Sequence, residues 1–230
     1  MIGIIGALAP EVDKINDLLS EKTSVTVSGQ EFTLGILGKN RVVTAICGMG
    51  KVFSAVCAQI MISSFSPSLV INVGAAGTVS ELLHIGDFAV ADKLVQHDMD
   101  VSPLGYKKGE IAEMSTVYFE CSKEAVDGLC KCAERLSLKA IPCTVATGDV
   151  FVCTTEKRLQ INSEFGALAA EMEGASIAQV CKMHGVPCTV LRAISDEADG
   201  DAPENFPLFL EKVTLDASRL IELFAKEYEI

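Results

Sequence analysis

The sequence is short of cations. Nineteen lysines and arginines stand against 31 aspartates and glutamates, for a formal net charge of −12. That balance argues against a nucleic-acid backbone or an anionic membrane surface as partner, since both bind through clustered positive charge. It leaves room for an uncharged small ligand. No CxxC pair occurs, and no histidine completes a zinc spacing with any of the nine cysteines, so no metal site is expected. The one close pair, Cys130-Lys131-Cys132, lies in a helical-looking stretch. Most other cysteines stand among Val, Ala and Ile, where a free thiol packs as a small hydrophobe, so a reduced cytoplasm is the expected location. The opening "MIGIIGALAPEV" has no basic region ahead of its apolar run and reads as a first strand, so no signal peptide is expected.

Charge is also missing from residues 52–80, which raises the question of a membrane span. "SSFSPS" at 63–68 cuts that run, and Gly74, Gly77 and several hydroxyl and amide side chains dilute its second half. Each half is too short to cross a bilayer. A buried helix followed by a buried strand fits better, with no membrane partner. Repeats, linkers and low-complexity tracts are absent too. The 230 residues, 49% of them apolar, suit one domain over 1–230.

What is present is alternation. "IGIIGAL", "SLVINVGAAG", "DFAVADKLVQHD", "AIPCTVATGDVFV", "ALAAEME" and "PCTVLRAISD" read as strands, several of them continuously apolar. "EFTLGILGKNRVVTAICG" reads as two strands joined by a Gly-Lys-Asn turn. Helices are expected after Pro10, with Val12, Ile15, Leu18 and Leu19 on one face, and over 52–62, 122–136, 155–164 and 174–184. A stripe of Phe206, Phe209, Leu210, Val213, Ala217, Leu220, Ile221 and Phe224 predicts a last long helix. Strands alternating with helices make an α/β domain with helices on both sheet faces.

Ligands in such folds bind beyond the carboxyl ends of strands. Glycine or acid gathers at five expected strand ends: "GALAPEV", "NVGAAG", "GDVFV", "EMEG" and "RAISDEADGD". Glu11 taken alone also suits the first turn of a helix, where the macrodipole favours an acid. "GALAPE" lacks the GxGxxG spacing and "CGMGK" lacks the phosphate-loop spacing, so each reads locally as a turn. "EMEG" asks more. Glu171 and Glu173 stand two apart, so a strand would crowd them on one face, whereas a strand end would let Glu173 lead into the next helix. A buried glutamate there could accept two hydrogen bonds from a vicinal diol; a core-edge acid and a first-turn acid are the plainer alternatives. Asp196 closes the apolar run "CTVLRAIS" as either a proton donor or a cap, and Arg192, an even number of strand steps away, is a possible partner.

Taken in order, "GIIGAL", "CGMGKV", "INVGAAG", "GDVFV", "AAEMEGA" and "VLRAISD" resemble the 5′-methylthioadenosine/S-adenosylhomocysteine nucleosidases of the purine nucleoside phosphorylase-like superfamily, over about residues 2–226. The resemblance implies a three-layer α/β/α fold with a central mixed sheet and a homodimer without metal or cofactor. It implies hydrolysis of the N-glycosidic bond of an adenine nucleoside carrying a 5′-thioether, or of 5′-deoxyadenosine, in methionine salvage. By motif, Glu11 activates water, Asp196 supported by Ser195 protonates the base, and Glu173 with Met172 holds the ribose hydroxyls. Phe151 stacks on the base, the backbone of Val152 reads its edge, Phe206 helps close the site, and Met49 and Ala75 border the substrate. Glu171 receives no role.

Departures from the family pattern are Ala75 where serine is common, Leu8-Ala9-Pro10 before the catalytic acid, Glu197 beside Asp196, and a divergent 101–114 segment that in the family borders the 5′-tail pocket. A phosphorylase on the same fold is the rival reaction, but the first strand-end loop carries an acid and no arginine for phosphate. A catalytically silent nucleoside binder would not need all three acids.

Overall fold

The computed structural model describes residues 1–196 and 206–230, with side chains from residue 213 onward in the second segment. Glu197 lies outside the described residues, and so do the side chains of Phe206, Phe209 and Leu210. The chain runs β1 (Ile2–Gly6), α1 (Ala9–Leu18), β2 (Ser20–Val27), β3 (Gln30–Leu37), β4 (Asn40–Ile46), α2 (Lys51–Phe65) and β5 (Leu69–Thr78). Then come β6 (Phe88–Gln96), β7 (Tyr118–Glu120), α3 (Lys123–Arg135), β8 (Ala140–Thr147), α4 (Thr155–Phe165), β9 (Ala169–Glu171), α5 (Gly174–His184), β10 (Cys188–Asp196) and α6 (Phe206–Glu227).

The strands form one mixed sheet. β1 lies parallel between β4 and β5, and β10 runs parallel to β5 but antiparallel to β6. β6, β8 and β9 run parallel, and β9 returns antiparallel to β5. These pairings join β5, β10, β6, β8 and β9 into a closed ring, leaving β1, β4, β3 and β2 as an open wing. Closure comes from long-range pairing and has no local signature in the sequence.

Two-residue periodicity then sorts the core. Ile5, Val70, Val190 and Ile194 pack with α2 and α5 on one face, through Ala58, Met61, Ile177 and Ala178. Ile4, Ile71, Leu191 and Ala193 face the opposite way, against α1, α3 and α6, through Ile15, Leu129, Leu220 and Phe224. The α/β/α layering expected from the resemblance is therefore present. Helix ends follow local chemistry. The Ser122 hydroxyl oxygen accepts the Ala125 N–H at the start of α3, and Thr154 does the same for Lys157 in α4.

Several boundaries depart from expectation. Leu18 is exposed and Leu19 is buried just beyond α1, because the chain leaves helical geometry there and turns Leu19 inward. "SEKTSVTV" forms β2 although it is polar: it is an exposed edge strand held by its ladder to β3. β7, three residues long, was likewise not anticipated. The strand expected through "GDVFV" stops at Thr147, and "ALAAEME" is a strand only over Ala169–Glu171. All nine cysteines are free thiols. No helix among the described residues is long and apolar enough to cross a membrane.

Candidate active site

The carboxyl ends of β1, β5, β10 and β9, with the loop after β8, surround a cavity of about 410 Å³. Glu11, Met49, Ala75, Phe151 and Val152 line it, as do Met172, Glu173, Ser195 and Asp196. Nine of the ten site residues expected from the sequence thus meet in one place; the tenth, Phe206, has no described side chain. The segment 101–114 forms two short 3-10 turns and contributes no described residue to the cavity wall.

Glu11 sits in the first turn of α1, as the plainer reading had it, yet it is buried and faces the cavity. Ala7 N–H (2.7 Å) and Leu8 N–H (2.9 Å) donate to its Oε2, and Ala75 N–H donates to Oε1 at 3.3 Å. The backbone of Ala75 thus holds the acid, while its methyl side chain brings no polar group to the wall. Three fixed amides orient this carboxylate towards the cavity.

Glu173 resolves the crowding between the two acids. It is the residue immediately before α5, with φ −132° and ψ −39°, and β9 ends at Glu171, so strand parity does not extend to Glu173. Its Oε1 accepts the Gly50 N–H at 2.8 Å and its Oε2 accepts from Arg192 Nη2 at 3.2 Å. "CGMGK" is a glycine turn into α2, as read locally, but it also supplies that amide. Gly50 has φ +94°, a region that side-chain-bearing residues rarely adopt. Burial pushes the Glu173 carboxyl up to about 7, against the pull of the Arg192 guanidinium; Glu171 and Glu11 push in the same direction as burial.

Arg192 does not turn to Asp196 as strand parity suggested. β10 bulges between Ile194 and Asp196: Ile194 pairs with Ala76 and Asp196 with Gly77, leaving Ser195 as the extra residue. The even step count is broken, and the fully buried Arg192 instead donates to Glu171, Asn72 and Glu173. The bulge also aims Ser195 at its neighbour, and its hydroxyl donates to Asp196 Oδ2 at 2.7 Å. The loop after β8 is fastened as well. Asp149 N–H donates to Asp98 Oδ2 at 2.9 Å, and Asp149 Oδ1 accepts the Lys51 N–H at 2.8 Å. Phe151, 70% exposed, stands at the mouth next to Cys153.

Three participants were not assigned from the sequence: Glu171, Arg192 as partner of both glutamates, and Gly74. An arginine inside the apolar run of β10 was the available signal for the first two. A Cβ on Gly74 would lie 1.9 Å from Arg192 Nη1 and 2.8 Å from Glu11 Oε1, so only glycine lets these two groups approach the strand. Among the described residues no group of three or more metal-binding side chains gathers.

Four acidic side chains on one cavity, Glu11, Glu171, Glu173 and Asp196, with an aromatic ring at its mouth suit cleavage of a nucleoside. Comparison with known proteins agrees. The family model described as the phosphorylase superfamily matches residues 1–226. The 5′-methylthioadenosine/S-adenosylhomocysteine nucleosidase of Staphylococcus aureus is 36% identical over 228 residues, 99% of this chain and 100% of that protein. The Helicobacter pylori enzyme of the same name, solved with butyl-thio-DADMe-Immucillin-A, superposes with a TM-score of 0.92 at 36% identity, covering 99% of this chain and 98% of that one. A structure of futalosine hydrolase of Helicobacter pylori superposes with a TM-score of 0.93, also at 36% identity, over 99% and 97% of the two chains. The chain belongs to the phosphorylase superfamily, within its family of 5′-methylthioadenosine/S-adenosylhomocysteine nucleosidases.

Proposed function

We propose that the protein hydrolyses the N-glycosidic bond of 5′-methylthioadenosine and S-adenosylhomocysteine, releasing adenine and the 5′-substituted ribose for methionine salvage. The observation that carries this reading is the convergence of Glu11, Glu173 and Asp196 on one cavity. Breaking the bond leaves a sugar with oxocarbenium character and a base that must gain a proton. Asp196, steadied by the Ser195 hydroxyl, donates that proton to N7 of the base. Glu11, its Oε2 held by two amides, takes the proton of an attacking water. Each oxygen of Glu173 accepts one protein hydrogen bond, so each retains a lone-pair position for one ribose hydroxyl. Phe151 stacks on the base and the Val152 backbone reads its edge. Phe206 closes the site in this proposal, and Met49, Met172 and Ala75 complete the walls.

Phosphorolysis is disfavoured by charge. Four acidic residues, Glu11, Glu171, Glu173 and Asp196, line the cavity, and Arg192 is the one cation among its described lining residues, already bonded to Glu171 and Glu173. A phosphate dianion there would meet more repulsion than attraction. Incubation with methylthioadenosine in phosphate-free buffer is the direct test. Adenine released without phosphate supports hydrolysis; release only on adding phosphate would overturn it.

The proposal extends to a homodimer acting as one functional domain over the whole chain in a reducing cytoplasm. Val52 (72% exposed) and Phe53 (65%) lie in the first turn of α2, an apolar strip of the kind that subunits cover. The free state of all nine thiols supports the compartment. Sedimentation should give twice the chain's mass, and a monomer at micromolar concentration would refute the dimer.

A further inference from the structure

Glu171 has no part in the chemistry above, yet it is buried at 7% exposure and four separate donors converge on it. They are the Thr147 hydroxyl, the N–H of Glu173 (3.0 Å to Oε2), the N–H of Gly174 (2.8 Å to Oε2) and Arg192 Nη2. Thr147 Oγ1 in turn accepts the Ala175 N–H at 2.8 Å. The open amides at the start of α5 are therefore satisfied by Glu171 and Thr147. The side chain of Glu173, which occupies the cap position, makes no capping bond. Its carboxylate is left to point into the cavity.

The second half of the pattern is Arg192. Its Nη2 carries two hydrogens and serves three acceptors: Asn72 Oδ1 and Glu171 Oε2 at close range, and Glu173 Oε2 at the longer 3.2 Å. A guanidinium facing one carboxylate alone tends to close into a two-bond fork. Here Glu171 occupies the near side of the fork.

We propose that Glu171 is a positioning residue of the ribose subsite: by capping α5 and holding Arg192, it keeps Glu173 out of a bidentate pair and leaves an acceptor position on each Glu173 oxygen for the diol. The proposal rests on the nucleosidase reading of the cavity. Its electrostatics are specific. Glu173 is faced by Glu171 from β9, Arg192 from β10, Glu11 from α1, Cys47 beyond β4 and the Gly50 amide before α2. Neutralising Glu171 removes a like charge and frees the Arg192 charge to act on Glu173, so Glu173 holds its proton less tightly.

The test compares wild type with Glu171→Gln, which keeps the shape and drops the charge. Dissociation constants for a substrate analogue and its 2′-deoxy counterpart are measured by calorimetry, and kcat/KM for methylthioadenosine is followed against pH. In Glu171→Gln the riboside preference should fall by about tenfold to hundredfold, the loss of one charge-assisted hydrogen bond. The acid limb of the profile should lie at lower pH than in the wild type, because Glu173 holds its proton less tightly. A folded Glu171→Gln with unchanged preference and an unmoved limb overturns the proposal. Where Glu171→Gln does not fold, Glu171→Asp keeps the charge but shortens its reach; it should weaken the preference while leaving the limb in place, and full preference there overturns the proposal too. Wild-type turnover on methylthioadenosine tests the nucleosidase reading separately, and the binding ratio tests Glu171 whether or not turnover occurs.

Discussion

Replacing Gly74 by alanine tests whether the geometry around Glu11 and Arg192 is as tight as its contacts imply. Gly74 lies in β5 and is not among the positive-φ glycines, so an added methyl brings no backbone strain, only bulk. That methyl carbon would stand 1.9 Å from Arg192 Nη1, 3.1 Å from Arg192 Cζ and 2.8 Å from Glu11 Oε1. Ordinary contact begins beyond about 3.5 Å, so the guanidinium must retreat by on the order of 1 Å or more. It has nowhere to go without releasing Glu171, Asn72 or Glu173, since it is fully buried among them.

Breaking a buried ion pair on one side costs about 3–5 kcal/mol. For a chain of this size each kcal/mol lowers the melting temperature by about 2–4 °C, so a drop on the order of 10 °C is expected. Glu11 must shift as well; if it activates water as proposed, a displacement of about 1 Å costs on the order of a hundredfold in rate. Circular dichroism melts and kcat from adenine release measure the two effects on one preparation. A Gly74→Ala protein that melts within about 2 °C of wild type and turns over within about twofold would refute the argument.

Glu11→Gln and Asp196→Asn should each lower kcat by about 10²–10⁴ while leaving binding of a substrate analogue largely intact; near-normal turnover in either would remove that residue from its role. Because burial raises Glu173 to about 7, kcat/KM should decline as pH falls through 7 and Glu173 loses an acceptor for the diol; Glu173→Gln should abolish that limb. The same raised carboxyl favours the folded state below its unfolded value of 4.5, and that contribution is lost as pH rises through about 7. Relative to Glu173→Gln, the unliganded wild type should therefore melt higher at pH 5 than at pH 8, and parallel curves would contradict this. Cys153 is the exposed thiol of the nine and stands on the cavity wall, whereas burial pushes the Cys57 thiol up to about 12. Iodoacetamide should label Cys153 first, and a bound adenine nucleoside analogue should slow it; equal labelling of the buried thiols would contradict the packing.

The sequence by itself determined the layers and the rim of the site. Alternation of apolar strands with amphipathic helices is local information, and it marked β1, β5, β6, β10 and the helices between them. The acids and glycines at those strand ends could be read as one rim because an α/β sheet delivers its strand ends to one edge. Glu11 and Asp196 follow or close strands parallel to β5 and could be placed on the rim on that ground; Glu173 follows β9, which runs antiparallel to β5, and was placed there by the motif resemblance.

Other features were decided only where distant segments meet. β2 is polar and exists because β3 offers it a ladder. The ring of β5, β10, β6, β8 and β9 depends on which strands pair, not on what each contains. Strand parity pairs Arg192 with Asp196, but the bulge at Ser195 breaks that parity, and Arg192 bonds Glu171, Asn72 and Glu173 instead. Glu171, silent in the sequence, gained its neighbours from β8, β10 and the start of α5. Periodicity fixes which face a side chain occupies, but a buried charge finds its partner through register and bulges. Those are settled by the packing of the whole sheet.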